Sequence, residues 1–273
     1  MEFRSEQIIK KGIWTTVEAG LVHEDYVVRK SYNPEARERF YSEMKNHETL
    51  LSNGIVGYIP MLDADEKTRS IIYPYIIGEL AQNKIMENSF EFMKTFSEAL
   101  LEESMQLRDL DAPYSFVPEG IKQKNIPRHY SKYFFGLCQN NDSIKAYNIL
   151  EKEKTNLVWT RYDPEASNSL FTDDWIVHMD YESMQIEDET YPFCYAAVHL
   201  ALDGLNFDLR DISSIISESQ VKKNYLEERI RSSLLEVTSY LLIEGADSGS
   251  SKEKNNKKEL LNQIQHDALW LGI

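Results

Sequence analysis

The sequence is short of residues that several common kinds of protein depend on. Its 273 residues include two cysteines, Cys138 and Cys194, which lack metal-ligand spacing. This excludes a disulfide framework and a cysteine-based zinc site, and we expect two reduced, buried thiols. No window approaches the ~18 apolar residues of a membrane-spanning helix, and the charged start "MEFRSEQIIKKG" lacks the apolar core of a signal peptide. We expect a cytoplasmic protein.

Basic residues are also in short supply. The 30 Lys and Arg residues stand against 45 Asp and Glu, which gives a formal net charge of -15. An anionic partner such as nucleic acid or a membrane surface is therefore not expected, and a cationic or neutral small molecule fits better. Walker-type phosphate loops, nucleophile elbows and zinc motifs are absent as well. Any function must rest on less regular patterns.

The first part of the chain reads as a sheet with one helix. Runs rich in β-branched and aromatic residues predict an antiparallel meander over residues 6–12, 14–22 and 25–32. A helix is predicted between Pro34 and Gly54, because its apolar residues recur at helical spacing between these two boundary residues. Two further strands, separated by a turn at "DADEKT", end this part near Gly78.

The rest of the chain reads as mainly helical, so the fold class predicted is α+β. Helices are predicted over residues 89–110, 191–205 and 224–243, whereas residues 112–155 show no clear motif. The segment "GADSGSSKEKNNKKE" is low in apolar residues, which is typical of a flexible linker. We therefore predict lobes at residues 1–78 and 79–245, a linker at 246–258 and a C-terminal helix at 259–273.

One segment concentrates side chains that can do chemistry, "TRYDPEASNSLFTDDWIVHMDYES" at residues 160–183. Asp163 and Asn168 lie in a polar loop, and Asp180 follows an apolar run, so a hairpin would bring both clusters together. Asn168 and Asp180 carry the hard oxygen ligands that Mg²⁺ prefers beside nucleotide phosphates. Asp163 would then accept the proton of an attacking hydroxyl. The plain alternative is that these are turn residues capping their own backbone.

Phosphoryl transfer also needs a cation on the donor phosphates, and the strand "DYVVRKSY" contains one. Alternation puts Val28 and Lys30 on one face, so Lys30 can face a cleft with Val28 beside a nucleotide base. Glu43, on the following helix, can hold Lys30. Arg29 and Glu48 are rivals for these two roles, and all four charges are also compatible with a solvated surface.

Taken in order, these residues resemble the kinase-like fold and, within it, the aminoglycoside phosphotransferase and choline kinase family. "VVRKSYNPEARERFYSEMKNHETLL" resembles the strand-lysine and helix-glutamate unit, and "IIYPYIIGEL" resembles the hinge. "RYDPEASNSL" and "IVHMDYES" resemble the family's His-Gly-Asp-x-x-x-x-Asn and Ile-Asp-x-Glu motifs. The resemblance covers about residues 8 to 203.

The resemblance implies a two-lobed protein-kinase-like fold and a phosphotransferase that uses ATP or GTP with Mg²⁺. Its acceptor would be a small molecule with a hydroxyl group, such as an aminoglycoside, choline or a sugar. Lys30 would bind the α- and β-phosphates with Glu43 orienting it, Asp163 would be the catalytic base, and Asn168 and Asp180 would bind the metal. The nucleotide contacts it implies are Gly12, Thr15, Thr16, Val28, Tyr73, Tyr75 and Ile76, with no role assigned to Glu182.

Three departures from the family pattern bear on this prediction. Arg161 and Tyr162 replace the usual His and Gly, the phosphate loop has the single Gly12, and "YPFCYAAV" lacks an Asp that often braces the catalytic loop. They leave open a nucleotide-binding pseudokinase that acts as an interaction module. A protein kinase is the other alternative, although only "MQIEDET" separates Ser183 from the helix near Pro192, which is too short for an activation segment.

Overall fold

Two lobes follow one another along the chain, the first rich in strands and the second helical. The computed structural model describes residues 3–87, 89–108, 110, 157–161, 163–173, 175–205, 209–219, 221, 223–224, 226–244 and 251–270. The segment 112–155, with Cys138, and the departure at Tyr162 lie outside the described residues.

The first lobe is built on an antiparallel five-stranded sheet. Strands β1 (Phe3–Lys11), β2 (Thr15–Val22) and β3 (Asp25–Tyr32) form the predicted meander, and β4 (Asp63–Asp65) and β5 (Ser70–Pro74) complete the order β1-β2-β3-β5-β4. Strand β3 is therefore the central strand. Its side chains alternate between the two faces of the sheet, as the sequence predicts.

One helix packs on this sheet, in the position that the sequence predicts. A 3₁₀ turn over Pro34–Ala36 leads into α1 (Arg37–Ser52). Beyond its end, Gly54 adopts a left-handed conformation with φ of 68°, which suits glycine after a helix C-terminus. Phe40 is fully buried against Tyr32 and Ile71. The helix is thereby fixed over the face of β3 that carries Lys30.

Helices form most of the second lobe. They are α2 (Ala81–Glu87), α3 (Ser89–Leu107), α4 (Tyr191–Leu202), α5 (Leu209–Glu218), α6 (Leu226–Glu244) and α7 (Ser251–Trp270). Their apolar faces form one large core around α4, where Cys194 is a buried free thiol whose pKa is raised by burial. Among the described residues, none of these helices combines the length and hydrophobicity needed to cross a membrane.

The predicted linker over 246–258 is wrong for its second part, because α7 begins at Ser251. Lys and Glu, which are frequent in this stretch, favour helix formation. Later in the same helix, Leu261 and Ile264 are buried in the core of the second lobe. Low hydrophobicity therefore does not exclude a helix here, because the side chains described over residues 255–259 are mostly exposed while later ones dock.

Two small sheets carry the segment at residues 160–183. Strands β8 (Ser169–Phe171) and β9 (Ile176–His178) form the predicted hairpin, and β6 (Glu79–Leu80) pairs with β8. Strand β7 (Leu157–Arg161) pairs with β10 (Met184–Asp188), a pairing that the sequence analysis did not predict.

The hinge lies directly against this hairpin. A Cβ atom at Gly78 would lie 2.7 Å from the carbonyl oxygen of Phe171, so glycine permits this close approach. In addition, the His178 N–H donates to the Gly57 carbonyl at 2.8 Å, and the Ile59 N–H donates to the His178 carbonyl at 3.1 Å. The β8–β9 hairpin is thus attached to the first lobe at two places.

Candidate active site

Lys30 lies at the meeting point of the two lobes. Its Nζ donates to Glu43 Oε2 at 2.8 Å on α1 and to Asp180 Oδ1 at 2.7 Å, just beyond β9. Glu182 Oε2 lies 3.7 Å away. Only 12% of the Lys30 side chain and 2% of the Glu43 side chain are exposed. The structure therefore brings together three predicted site residues, Lys30, Glu43 and Asp180.

The ionisation states of this cluster follow from its charges. Burial alone would lower the pKa of Lys30, but Asp180, Glu43 and Glu182 raise this pKa well above its ordinary value. Burial opposes ionisation of Glu43 as well, yet Lys30 and His47 lower the pKa of Glu43 to about 2. Lys30 and Glu43 are thus both charged at neutral pH, and the ammonium is held in the cleft.

The resemblance implies that Tyr73 contacts the base through its backbone, and the structure gives its side chain a separate partner. Tyr73 pairs with Val28 across β3 and β5, and its hydroxyl donates to Glu43 Oε1 at 2.7 Å and contacts His47 Nε2 at 3.1 Å. Burial and the Glu43 carboxylate raise the pKa of Tyr73 well above its ordinary value. The side chain of Tyr73 therefore braces Glu43, and the backbone is left for contact with a base.

The other predicted nucleotide contacts divide by face. Thr15 and Val17 pair with Tyr32 and Lys30 and share the face of Lys30, whereas Thr16 lies on the opposite face. Gly12 forms the β1–β2 turn, where its N–H donates to the Thr15 carbonyl at 2.8 Å.

Two more predicted contacts lie in the connection after β5. Tyr75 is exposed and meets the ring of Tyr26 edge-on, with centroids 5.4 Å apart. Ile76 beside it is half-buried. Both residues occupy the hinge between the lobes, where the resemblance puts them, and their contact with a base stays a prediction.

Hydrogen bonds to backbone carbonyls connect the polar residues of the segment at 160–183. The Asn168 Nδ2 group donates to the Asp163 carbonyl at 3.1 Å, and the Met179 N–H donates to the Asn168 carbonyl at 2.9 Å. Asp180 follows with φ of 66°, a left-handed conformation that Asp tolerates better than most residues. Asp163, Asn168 and Asp180 thus form one connected unit, as the hairpin argument predicts.

Asp163, predicted as the catalytic base, has one buried carboxylate oxygen, Oδ1, without a hydrogen-bond partner among the described residues. Burial and the neighbouring Glu165 raise the pKa of Asp163 to about 7. On α4, His199 Nδ1 pairs with Glu165 Oε1 at 2.9 Å. This contact joins α4 to the loop that carries Asp163, although "YPFCYAAV" lacks an Asp.

The structure also shows what replaces the missing histidine of the family motif. Arg161 is fully buried, and its guanidinium forms an ion pair with Glu103 on α3, with Nε 2.8 Å from Glu103 Oε1. Nη1 of the same guanidinium donates to the Asn168 carbonyl. The departure at Arg161 therefore supplies supporting contacts.

A set of carboxylates in the cleft suits a hard divalent cation. Oxygen atoms of Glu43, Asp180 and Glu182 lie within 4.8 Å of one another, and Mg²⁺ prefers carboxylate and amide oxygens. Glu43 is the least accessible of the three, with 2% of its side chain exposed against 31% for Asp180 and 19% for Glu182, so Asp180 and Glu182 are better placed to meet a cation. Asn168 stays a predicted ligand. Sequence analysis assigned no role to Glu182, although it stands two residues after Asp180.

Other contributors to the site gave no sequence signal. Arg39 on α1 pairs with the Glu182 carboxylate, and the Ser42 hydroxyl donates to the Glu182 carbonyl. These partners lie more than a hundred residues apart in sequence, and a hydrogen bond over such a separation depends on the fold. Burial, followed by the charge of Asp180, raises the pKa of Glu182, which is typical of a carboxylate that a cation would stabilise.

Comparison with known proteins finds relatives only at the level of structure. No protein-family model matches the chain, and no curated protein matches its sequence. A thermostable mutant of aminoglycoside phosphotransferase APH(4)-Ia, in a ternary complex with AMP-PNP and hygromycin B, is 12% identical with a TM-score of 0.63 over 100% of this chain and 96% of that chain.

Two choline kinase-type structures are similar to the chain as well. A choline/ethanolamine kinase family protein from Mesorhizobium loti is 11% identical with a TM-score of 0.59 over 99% of this chain and 92% of that chain. The choline kinase LicA from Streptococcus pneumoniae is 12% identical with a TM-score of 0.59 over 98% and 95%. Identities this low establish the fold alone. The predicted fold is confirmed: this chain has the two-lobed, kinase-like α+β fold of aminoglycoside phosphotransferases and choline kinases.

Proposed function

We propose that the chain is a phosphotransferase that moves a phosphoryl group from ATP to a hydroxyl group of a small molecule, in a reaction that depends on Mg²⁺. The observation that carries the proposal is the position of Lys30, which joins Glu43 of the first lobe to Asp180 of the second at 2.8 and 2.7 Å. A cation on a strand, held by a helix glutamate and facing a metal-binding carboxylate, is the arrangement that phosphoryl transfer requires.

Each residue of the cleft has a role in this proposal. Lys30 binds the donor phosphates, and Glu43 keeps its ammonium in place. Asn168, Asp180 and Glu182 are the residues that would hold Mg²⁺, which when bound offsets charge on the phosphates. Asp163 Oδ1 accepts the proton of the acceptor hydroxyl. Its pKa of about 7 suits a general base at neutral pH.

The form of the second lobe supports a small acceptor. Between Asp180 and α4 the chain forms only β10 and a short turn, so this described stretch leaves no room for a long segment on which a protein substrate would dock. The APH(4)-Ia structure that resembles this chain is a complex with hygromycin B. The net charge of -15 favours a cationic or neutral acceptor. In this proposal residues 1–78 bind the nucleotide and residues 79–245 bind the acceptor.

The proposal is tested by the loss of one carboxylate. With ATP, Mg²⁺ and a panel of hygromycin B, choline and a hexose, the wild type should release ADP with at least one acceptor. Asp163→Asn should lower turnover about 10²- to 10⁴-fold and leave the Kd for AMP-PNP unchanged. Asp173→Asn, at an exposed position in the same hairpin, is the matched control and should keep wild-type turnover.

Two results would contradict the proposal. Full turnover in Asp163→Asn would show that Asp163 is not the catalytic base. A wild-type protein that neither binds AMP-PNP nor consumes ATP with any acceptor would instead support an interaction module that keeps the fold without the reaction.

A further inference from the structure

The guanidinium of Arg161, at the end of β7, uses its nitrogen donors on three kinds of partner: a carboxylate, an imidazole nitrogen and backbone carbonyls. Nε and Nη2 donate to Glu103 Oε1 and Oε2 at 2.8 and 3.2 Å, and Nη2 also donates to His178 Nδ1 at 3.1 Å. Nη1 donates to two backbone carbonyls, of Asn168 at 3.2 Å and of Met179 at 3.1 Å. One buried cation thus connects α3, the catalytic loop and the end of β9.

The surroundings of Arg161 are arranged to keep it charged and fixed. Burial would lower the pKa of Arg161, but the Glu103 carboxylate raises it. The Tyr181 hydroxyl also donates to Glu103. His178 Nδ1 lies 3.1 Å from Arg161 Nη2 and 2.9 Å from the Ser169 hydroxyl, so the guanidinium, the imidazole and the hydroxyl form one buried network. Every nitrogen of the guanidinium therefore has a hydrogen-bond acceptor within the protein.

The two carbonyls that Nη1 binds belong to the metal-binding segment. One is that of Asn168 itself, and the other is that of Met179, the residue directly before Asp180. A planar guanidinium with several donors in fixed directions can hold two carbonyls and a carboxylate together, whereas a lysine ammonium is a compact point charge on a flexible stem. The distance between Asn168 and Asp180 is therefore set in part by Arg161.

We propose that Arg161 is a positioning residue for the divalent cation: anchored by Glu103, it holds Asn168 and Asp180 at the spacing that Mg²⁺ requires. This inference rests on the proposed function, because it concerns the same cleft. Replacement of a residue that hydrogen-bonds to metal ligands without binding the metal typically lowers metal affinity or activity by about 10- to 100-fold. A residue with a purely structural role would change stability without changing metal dependence.

The chain offers a matched control for buried arginine. Arg229 on α6 is also nearly fully buried, with Nε 2.8 Å from Asp188 Oδ2 and Nη2 3.0 Å from Glu189 Oε1. It lies in the second lobe, and these two ion-pair partners stand at the end of β10, away from the loop that holds Asn168. Arg161→Lys and Arg229→Lys thus remove comparable bidentate pairs while keeping the positive charge, and both should lower Tm.

The experiment measures the Kd of AMP-PNP by calorimetry in excess Mg²⁺ and again in EDTA. The ratio of the two values reports the metal contribution without any need for an acceptor. Arg161→Lys should reduce the Mg²⁺ enhancement about tenfold or more, whereas Arg229→Lys should leave it within about twofold of wild type. An unchanged enhancement in Arg161→Lys, with a Tm loss like that of Arg229→Lys, would overturn the inference.

A double variant separates positioning from folding. Arg161→Met with Glu103→Gln removes both buried charges together, which avoids an uncompensated charge and leaves an amide oxygen to accept from the Tyr181 hydroxyl. This folded variant should also lose the Mg²⁺ enhancement, and a wild-type enhancement in it would overturn the inference. If wild-type AMP-PNP binding does not respond to Mg²⁺ at all, the proposed function fails first and the inference fails with it. If the wild type responds to Mg²⁺ and the Arg161 variants keep the same Mg²⁺ enhancement, only the inference about Arg161 is refuted and the proposed function stands.

Discussion

Replacement of Lys30 by methionine should destabilise the protein by an amount that depends on pH. The Glu43 carboxylate, whose side chain is 2% exposed, would lose its main counter-ion. The gap between its pKa of about 2 and the ordinary 4.5 corresponds to about 3 kcal/mol of stability at neutral pH. Removal of one partner from a buried ion pair typically costs about 3–5 kcal/mol. We therefore expect Lys30→Met to lose roughly 3–5 kcal/mol near pH 7.

The sign of the pH dependence follows from the same carboxylate. In the wild type the folded-state pKa of Glu43 lies below its unfolded value, so its contribution is present above about pH 4.5 and is lost as pH falls toward 2. In Lys30→Met burial would raise the pKa of Glu43 above its ordinary value. The penalty relative to wild type should therefore shrink as pH falls and Glu43 becomes protonated.

Urea unfolding near pH 7 and near pH 4 measures this difference. Arg29→Met is the matched control, because Arg29 lies next to Lys30 on β3 but pairs with Glu18 at a partly exposed site, at 2.6 Å. Such a pair is worth about 1 kcal/mol or less, with little change between the two conditions. Equal losses for the two variants, or a Lys30→Met penalty that does not change with pH, would refute the assignment of a buried Lys30–Glu43 pair.

Further predictions test other parts of the structure. Tyr73→Phe leaves Glu43 Oε1 without its donor and should cost about 1–3 kcal/mol, measured by urea unfolding, whereas no loss would contradict the brace. Burial holds the pKa of His178 at about 4, against an ordinary 6.5, so its contribution to stability is present above about pH 6.5 and is lost as pH falls toward 4. His178→Gln should therefore remove about 3 kcal/mol of the change in unfolding free energy between these pH values. An unchanged pH profile of stability would contradict this prediction. Leu261→Ala on α7 should cost about 2–5 kcal/mol, and wild-type thermal stability would show that α7 does not dock.

Local sequence patterns explain which parts of the fold could be predicted. The strands around Lys30 and helix α1 follow from residue periodicity and from boundary residues such as Pro34 and Gly54. The facing of Lys30 and Val28 follows from strand alternation, which depends only on neighbouring residues.

Other features depend on contacts that are distant in sequence. The β7–β10 ladder pairs Arg161 with Met184, and neither short strand is distinctive alone. The ion pair of Arg161 with Glu103 joins residues 58 positions apart, so the sequence showed an unusual arginine without its partner. Helix α5 was not predicted either, but local sequence would have sufficed for it. Its apolar residues recur at helical spacing, at Leu209, Ile212 and Ile216.

The central claim is that Asp180 and Lys30 form part of a nucleotide and metal site. The most direct measurement is the Tm of wild type and Asp180→Asn with AMP-PNP, with and without Mg²⁺. Asn tolerates the left-handed backbone at this position, so the variant should fold. We predict a Mg²⁺-dependent rise in wild-type Tm that is lost in Asp180→Asn. No rise in the wild type, or an equal rise in both proteins, would contradict the account.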